Sequence, residues 1–281
     1  MPSANHRLGR NGAVCLAAAL LLLTGQRCGL WLAAALGRVF PEAGWLDFAQ
    51  GLLVRLGGFV PPLLLLWRTR PRGEIGWKCP ARHPTLAALP GLAGLAILAG
   101  GAVYSLAAVC LAPLGYQAPA SAGLEPGWQG AGQLVLSVLL PAVAEEAIFR
   151  KEILGRLLAA GERPALLASA VLFALLHGDA AQAASALAAG LVLGFVALRW
   201  GAGWAAAVHL ANNLLALLGA GVWPAAALLV LGLPGLYKLA RHSRWLPRAG
   251  GAGWRELTDH PFAAPALVAF VLLLWLQWLG L

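Results

Sequence analysis

The sequence predicts an all-α fold: a polytopic transmembrane helical bundle of about eight or nine spans, with its N-terminus in the cytoplasm. Three observations lead there. Of the 281 residues, 60% are hydrophobic and only 11% are charged, whereas a soluble domain carries about 25% charged residues. The apolar residues gather in runs near the ~20 residues a helix needs to cross the hydrocarbon layer. The basic residues gather in short connections between those runs, as the positive-inside rule requires.

The candidate spans are roughly 12–36, 45–67, 85–113, 130–149, 164–178, 182–199, 203–219, 222–238 and 262–280. The first follows Arg7 and Arg10 and begins with the apolar run Ala13 to Leu23, so it resembles a signal peptide. The segment Thr24-Gly25-Gln26-Arg27-Cys28 offers no small-x-small cleavage site, so an uncleaved first helix is expected, with a break at Thr24-Gly25 as the alternative. Trp45, Trp67, Trp200, Trp204 and Trp223 flank several spans, at the headgroup level that indole rings prefer.

With the N-terminus inside, 17 of the 20 Lys and Arg fall in cytoplasmic connections, Arg38 falls outside, and Arg27 and Arg55 fall within spans. Residues 68–84, with Pro71, Pro80 and Pro84, read as a cytoplasmic loop, as does the basic stretch 239–261 with Pro247. Residues 114–129 form the sizeable outside loop, and the only acid in it is Glu125. The chain therefore divides into N-terminal membrane helices (1–129), a polar-bearing core (130–215) and C-terminal membrane helices (216–281).

The net charge of +9 would suit nucleic acid, but basic residues confined to short connections point to lipid headgroups instead. The 35 glycines suit close helix packing in lipid. Cys15, Cys28, Cys79 and Cys110 are scattered without CxxC spacing, so neither a disulfide framework nor a cysteine metal site is expected. Phosphate-cradling glycine loops are missing. So is an internal repeat, which a transporter built from related halves would show.

The chemistry is carried by three polar spots on apolar helices. The first is Glu145-Glu146-Ala147-Ile148-Phe149-Arg150. An ionised carboxylate in hydrocarbon costs several kcal/mol, so it must pair, reach water or be used. Successive helical residues point about 100° apart, so the two acids cannot do the same job. Arg150 lies four residues after Glu146, the spacing of neighbours on one face. A Glu146–Arg150 pair is therefore expected, leaving Glu145 free to point inward, with Pro141 kinking or loosening the helix just before it.

The second spot pairs Phe173 with His177, and the third pairs His209 with Asn213, each four residues apart. Asn212 is either interhelical glue or an alternative partner. A hairpin turning near Gly161–Pro164 brings Glu145 and His177 to nearly equal depth at 1.5 Å per residue. Its base, with Lys151, Glu152, Arg156, Glu162 and Arg163, is expected to project into the cytosol. The depth of His209 does not follow from the same arithmetic.

The ordered set EExxxR (Glu145, Glu146, Arg150), FxxxH (Phe173, His177) and HxxxN (His209, Asn213) resembles the CPBP family, which includes the type II CAAX prenyl endopeptidases and bacteriocin-processing or immunity proteins. The resemblance covers roughly 130–215. It implies an intramembrane glutamic-type endopeptidase that hydrolyses a peptide bond of a membrane-anchored protein or peptide. Glu145 would be the general base, helped by His177; His209 and Asn213 would hold the carbonyl and stabilise the oxyanion; Glu146, Arg150 and Phe173 would be accessory.

The family has also been described as metal-dependent, and two histidines, a glutamate and an asparagine could ligate zinc. HExxH is absent, so no metal is expected, with a zinc-dependent version as the alternative. A non-catalytic immunity or binding protein and a proton-coupled transporter are the remaining rivals. Composition and short loops suggest a bacterial inner membrane. The lipid bilayer and a tethered substrate are the expected partners.

Overall fold

The computed structural model describes residues 4–69, 86–118, 123–219 and 221–242. The predicted span 262–280 and nearly all of the basic loops 68–84 and 239–261 lie outside them. Among the described residues every regular element is helical. The helices are α1 (Ala4–Val39), α2 (Leu46–Arg68), α3 (Leu89–Leu111), α4 (Gly127–Ala160), α5 (Glu162–Leu175), α6 (Ala180–Trp200), α7 (Ala202–Leu217) and α8 (Trp223–His242).

Five of these helices are long and apolar enough to cross a membrane: α1, α2, α3, α4 and α6. The expected count of eight or nine is thus met only in part. With 14 and 16 residues, α5 and α7 are shorter than predicted. At 1.5 Å per residue they reach only about 21 and 24 Å, less than the hydrocarbon thickness. Helix α1 runs unbroken through Thr24-Gly25, where the Thr24 hydroxyl donates back to the Leu20 carbonyl at 2.9 Å. Gly25 sits there because α2 does: a Cβ on Gly25 would strike the Gly57 carbonyl, and a Cβ on Gly57 would strike that of Gly25. Small residues allow this backbone approach, and dispersion then holds the pair.

The predicted span 130–149 is part of a longer helix. Within α4, Leu134–Leu139 and Ala147–Leu154 are π-helical. The first stretch ends at Leu140, whose N–H donates to the Val135 carbonyl five residues back. Pro141 follows, and in an α-helix its ring would clash with the carbonyl four residues earlier. The wider turn relieves that clash without breaking the helix, so the expected loosening takes this form. The chain then reverses at Gly161, whose φ of 106° is open to glycine and strained for other residues.

At the base of this hairpin two charged residues pack inside the bundle. Glu152 and Arg156 are buried. Arg156 donates from Nη1 to the Thr69 carbonyl at 3.0 Å and from Nη2 to the Leu66 carbonyl, and its own carbonyl accepts from Asn11 Nδ2 at 3.1 Å. Leu66 and Thr69 mark the end of α2, where main-chain carbonyls lack helical partners. A cation also complements the negative end of the helix there. The Arg156 side chain thereby ties α4 to the end of α2, and its main-chain carbonyl ties α4 to α1.

The core beneath the hairpin joins Ile148, Phe149 and Ile153 of α4 to Phe173 of α5 and Val196 and Trp200 of α6. Helices α5 and α6 meet closely at Gly190, where a Cβ would stand 3.2 Å from the Phe173 ring. Gly57→Leu is expected to destabilise the protein by about 1–3 kcal/mol through overpacking, read as a lower thermal unfolding midpoint in detergent. Gly44→Ala, where nothing lies within 4 Å, is expected to leave that midpoint in place.

Candidate active site

The three polar spots converge. From α4, Glu146 is fully buried and engages two partners. Its Oε2 lies 3.2 Å from Arg150 Nε, one turn on. Its Oε1 accepts from His209 Nδ1 of α7 at 3.0 Å. A carboxylate can only accept, so Nδ1 carries the proton and the tautomer of His209 is set by Glu146. The other ring nitrogen, Nε2, points to Glu145 and stands 3.9 Å from its Oε2. The two adjacent acids therefore meet opposite sides of one imidazole, as their divergence along the helix allows.

Arg150 is also fully buried. Its Nη1 and Nη2 find no hydrogen-bond acceptor among the described residues. They lie instead over aromatic rings, with Cζ 4.5 Å from the Phe173 centroid and 5.9 Å from that of Phe149. Cation–π attraction of this kind strengthens when water is excluded.

Phe173 is the common neighbour of these groups. Its ring meets Phe149 at 5.3 Å, His177 at 5.0 Å and His209 at 5.8 Å, each edge to face. Ser169 fixes α5 against α4 by donating to the Phe149 carbonyl at 2.8 Å, a buried bond. His177 sits just past the end of α5, and its Nδ1 donates to the Phe173 carbonyl at 2.9 Å. A carbonyl only accepts, so neutral His177 keeps an open lone pair on Nε2.

Asn213 accepts at Oδ1 from Asn212 Nδ2, 3.3 Å away. Its own Nδ2 is thereby left to donate elsewhere. Asn213 lines both of the cavities described next, whereas Asn212 lines only the smaller.

The larger cavity holds about 530 Å³ and opens between α1, α2, α4, α5 and α7. Glu145, His177, His209 and Asn213 line one side. Glu146 and Arg150 do not line it; they stand behind. The smaller cavity, about 120 Å³, lies across Phe173, His177 and His209 and adds Ser185 and Asn212. Sequence reasoning missed Gln26, Arg55 and Gln182 as lining residues. Arg55 had a signal, being a charge inside an apolar span; the two glutamines had none.

For zinc, the donor set is a poor fit. No group of three His, Cys, Asp or Glu able to hold a metal ion occurs among the described residues, although Nδ1 of each histidine is held by an oxygen and Nε2 is left open, as in a ligating imidazole. Three protein ligands is the usual minimum for catalytic zinc.

Arg150→Ala would strand a buried carboxylate and is expected to destabilise the fold by about 3–5 kcal/mol, measured as a lower denaturation midpoint. Glu145→Gln, whose nearest cation candidate is 3.9 Å away, is expected to move that midpoint far less.

Comparison of the chain with curated proteins and with solved structures returns no match. Residues 127–215, the segment that carries Glu145, Glu146, Arg150, Phe173, His177, His209 and Asn213, match the family model for Rce1-like type II CAAX prenyl endopeptidases, consistent with the CPBP family.

Proposed function

We propose that this chain is an intramembrane endopeptidase of the glutamic type, acting on a membrane-anchored protein or peptide, with residues 130–215 as its catalytic core. One observation carries the reading: Glu146 is consumed by Arg150 and His209, while Glu145 faces the cavity beside His209 Nε2. A carboxylate removed from bulk water and spared a tight ion pair is a suitable general base.

In the reaction, Glu145 takes a proton from a water held by the lone pair of His177 Nε2. The resulting hydroxide attacks the carbonyl carbon of the scissile peptide. The carbonyl electron pair moves to oxygen, which accepts from Asn213 Nδ2 and from protonated His209 through Nε2. Glu146 holds the Nδ1 side of that imidazolium, so its charge is balanced at a fixed position. The tetrahedral intermediate collapses, the C–N bond breaks, and Glu145 returns the proton to the leaving amine. Donors fixed before charge develops contribute about 3–4 kcal/mol each. No step runs through a metal.

The distribution of Lys and Arg supports a cytoplasmic N-terminus, and the composition supports a bacterial inner membrane as the site of action. Burial of Glu146, Arg150, Phe173 and His209 supports a site within the bundle rather than at its lipid-facing surface.

The test is reconstitution in vesicles with membrane-tethered peptides. Glu145→Ala is expected to lower cleavage by about 10²–10⁴-fold, and Asn213→Ala by about 10²–10³-fold, both with the protein still folded. Cleavage that survives Glu145→Ala overturns the mechanism. Loss of cleavage on chelation, restored by zinc, would replace it with the metal-dependent version.

A further inference from the structure

The active-site reading leaves one charge in the large cavity unexplained. Arg55 sits in the interior of α2, half-buried, on a helix with mean hydropathy 1.5 over its most apolar stretch. It lines the same cavity as Glu145, His177, His209 and Asn213. Among the described residues it forms neither an ion pair nor a hydrogen bond. Arg156 and Arg150, the buried arginines of the bundle, are both engaged by protein groups. A guanidinium in a spanning helix is costly unless it is paired, hydrated or used.

We propose that Arg55 is a specificity-determining residue that holds a carboxylate of the bound substrate, presented as a chain terminus or as an acidic side chain. This rests on the protease reading of the same cavity. The charge pattern gives the cavity a polarity. Glu145 repels an anion at the catalytic end, and Arg55 attracts it to the α2 side. A guanidinium fork matches a carboxylate in two parallel hydrogen bonds, which fixes orientation as well as position. Gln26 of α1 also lines the cavity and adds an amide donor to it. A peptide so anchored presents a particular bond to Glu145, so the distance from its acid to the cleaved bond is set by the protein.

The experiment uses full-length Glu145→Gln protein, which can bind peptide without cutting it, in vesicles of phosphatidylcholine alone and of phosphatidylcholine with phosphatidylglycerol. The probe is an acyl-anchored apolar decapeptide in three forms: free C-terminal acid, C-terminal amide, and the amide with one glutamate moved inward. An acid-bearing form is expected to bind about ten- to hundredfold more tightly than the amide, the range of a charge-assisted hydrogen bond. Adding Arg55→Gln is expected to abolish that preference while leaving amide binding unchanged, and Arg55→Lys to restore part of it.

Equal binding of all three peptides by Glu145→Gln overturns the proposal, and this outcome needs no Arg55 variant to fold. An acid preference untouched by Arg55→Gln overturns it too. So does Arg55-dependent retention of phosphatidylglycerol without any peptide preference, which would make Arg55 a lipid contact. Acid preference in binding with no cleavage by the wild-type chain leaves Arg55 as an anion site and rejects the protease reading. Cleavage that is indifferent to the acid rejects Arg55 and leaves the protease.

Discussion

The site depends on one buried carboxylate with two cationic or proton-bearing neighbours. Glu146 could not stay ionised at full burial by itself. Arg150 offsets its charge from the same helix and His209 from α7. The consequence reaches beyond stability. Because Glu146 occupies Nδ1 of His209, the nitrogen of that ring left to face the cavity is Nε2, beside Glu145. A single ion bridge thus ties two helices, orients an imidazole and leaves the neighbouring acid facing the cavity.

Around that bridge the packing is aromatic. Phe173 touches the guanidinium of Arg150 and the edges of both histidines. It supplies rigidity with little polarity, so the charged groups keep their strength for one another. Its place depends on α6 approaching closely, which Gly190 permits, and on Ser169 holding the Phe149 carbonyl. The polar cluster and the apolar core are therefore one construction.

Much of this was legible in sequence where the helical period alone decides the outcome. Glu146 and Arg150 are one turn apart, and hairpin arithmetic puts Glu145 and His177 at one depth, since chain length sets both. The position of His209 was not legible. The two π-helical stretches in α4, whose i→i+5 turns shift every later side chain around the axis, were not legible either. Pro141 hints at the first stretch, but nothing in 147–154 announces the second. The span count is met only in part: runs such as 164–178 and 203–219 qualify by composition, but the helices there have 14 and 16 residues, and 262–280 lies outside the described residues. The burial of Arg156 was missed because its partners are main-chain carbonyls, which no side-chain pattern reveals.

The glycine contact between α1 and α2 has a mechanical corollary. With Gly25 and Gly57 backbone to backbone, the two helices behave as one plank along the cavity. Arg156 rivets one end of the plank to α4 through buried charged hydrogen bonds. The far end rests on α4 through Phe48 against Gly132 and Leu136 against Gly51. Prising the riveted end away exposes a guanidinium's orphaned partners; lifting the far end gives up only van der Waals contact. The walls of the chamber are thus fastened differently at their two extremities, by charged hydrogen bonds at one and by packing at the other.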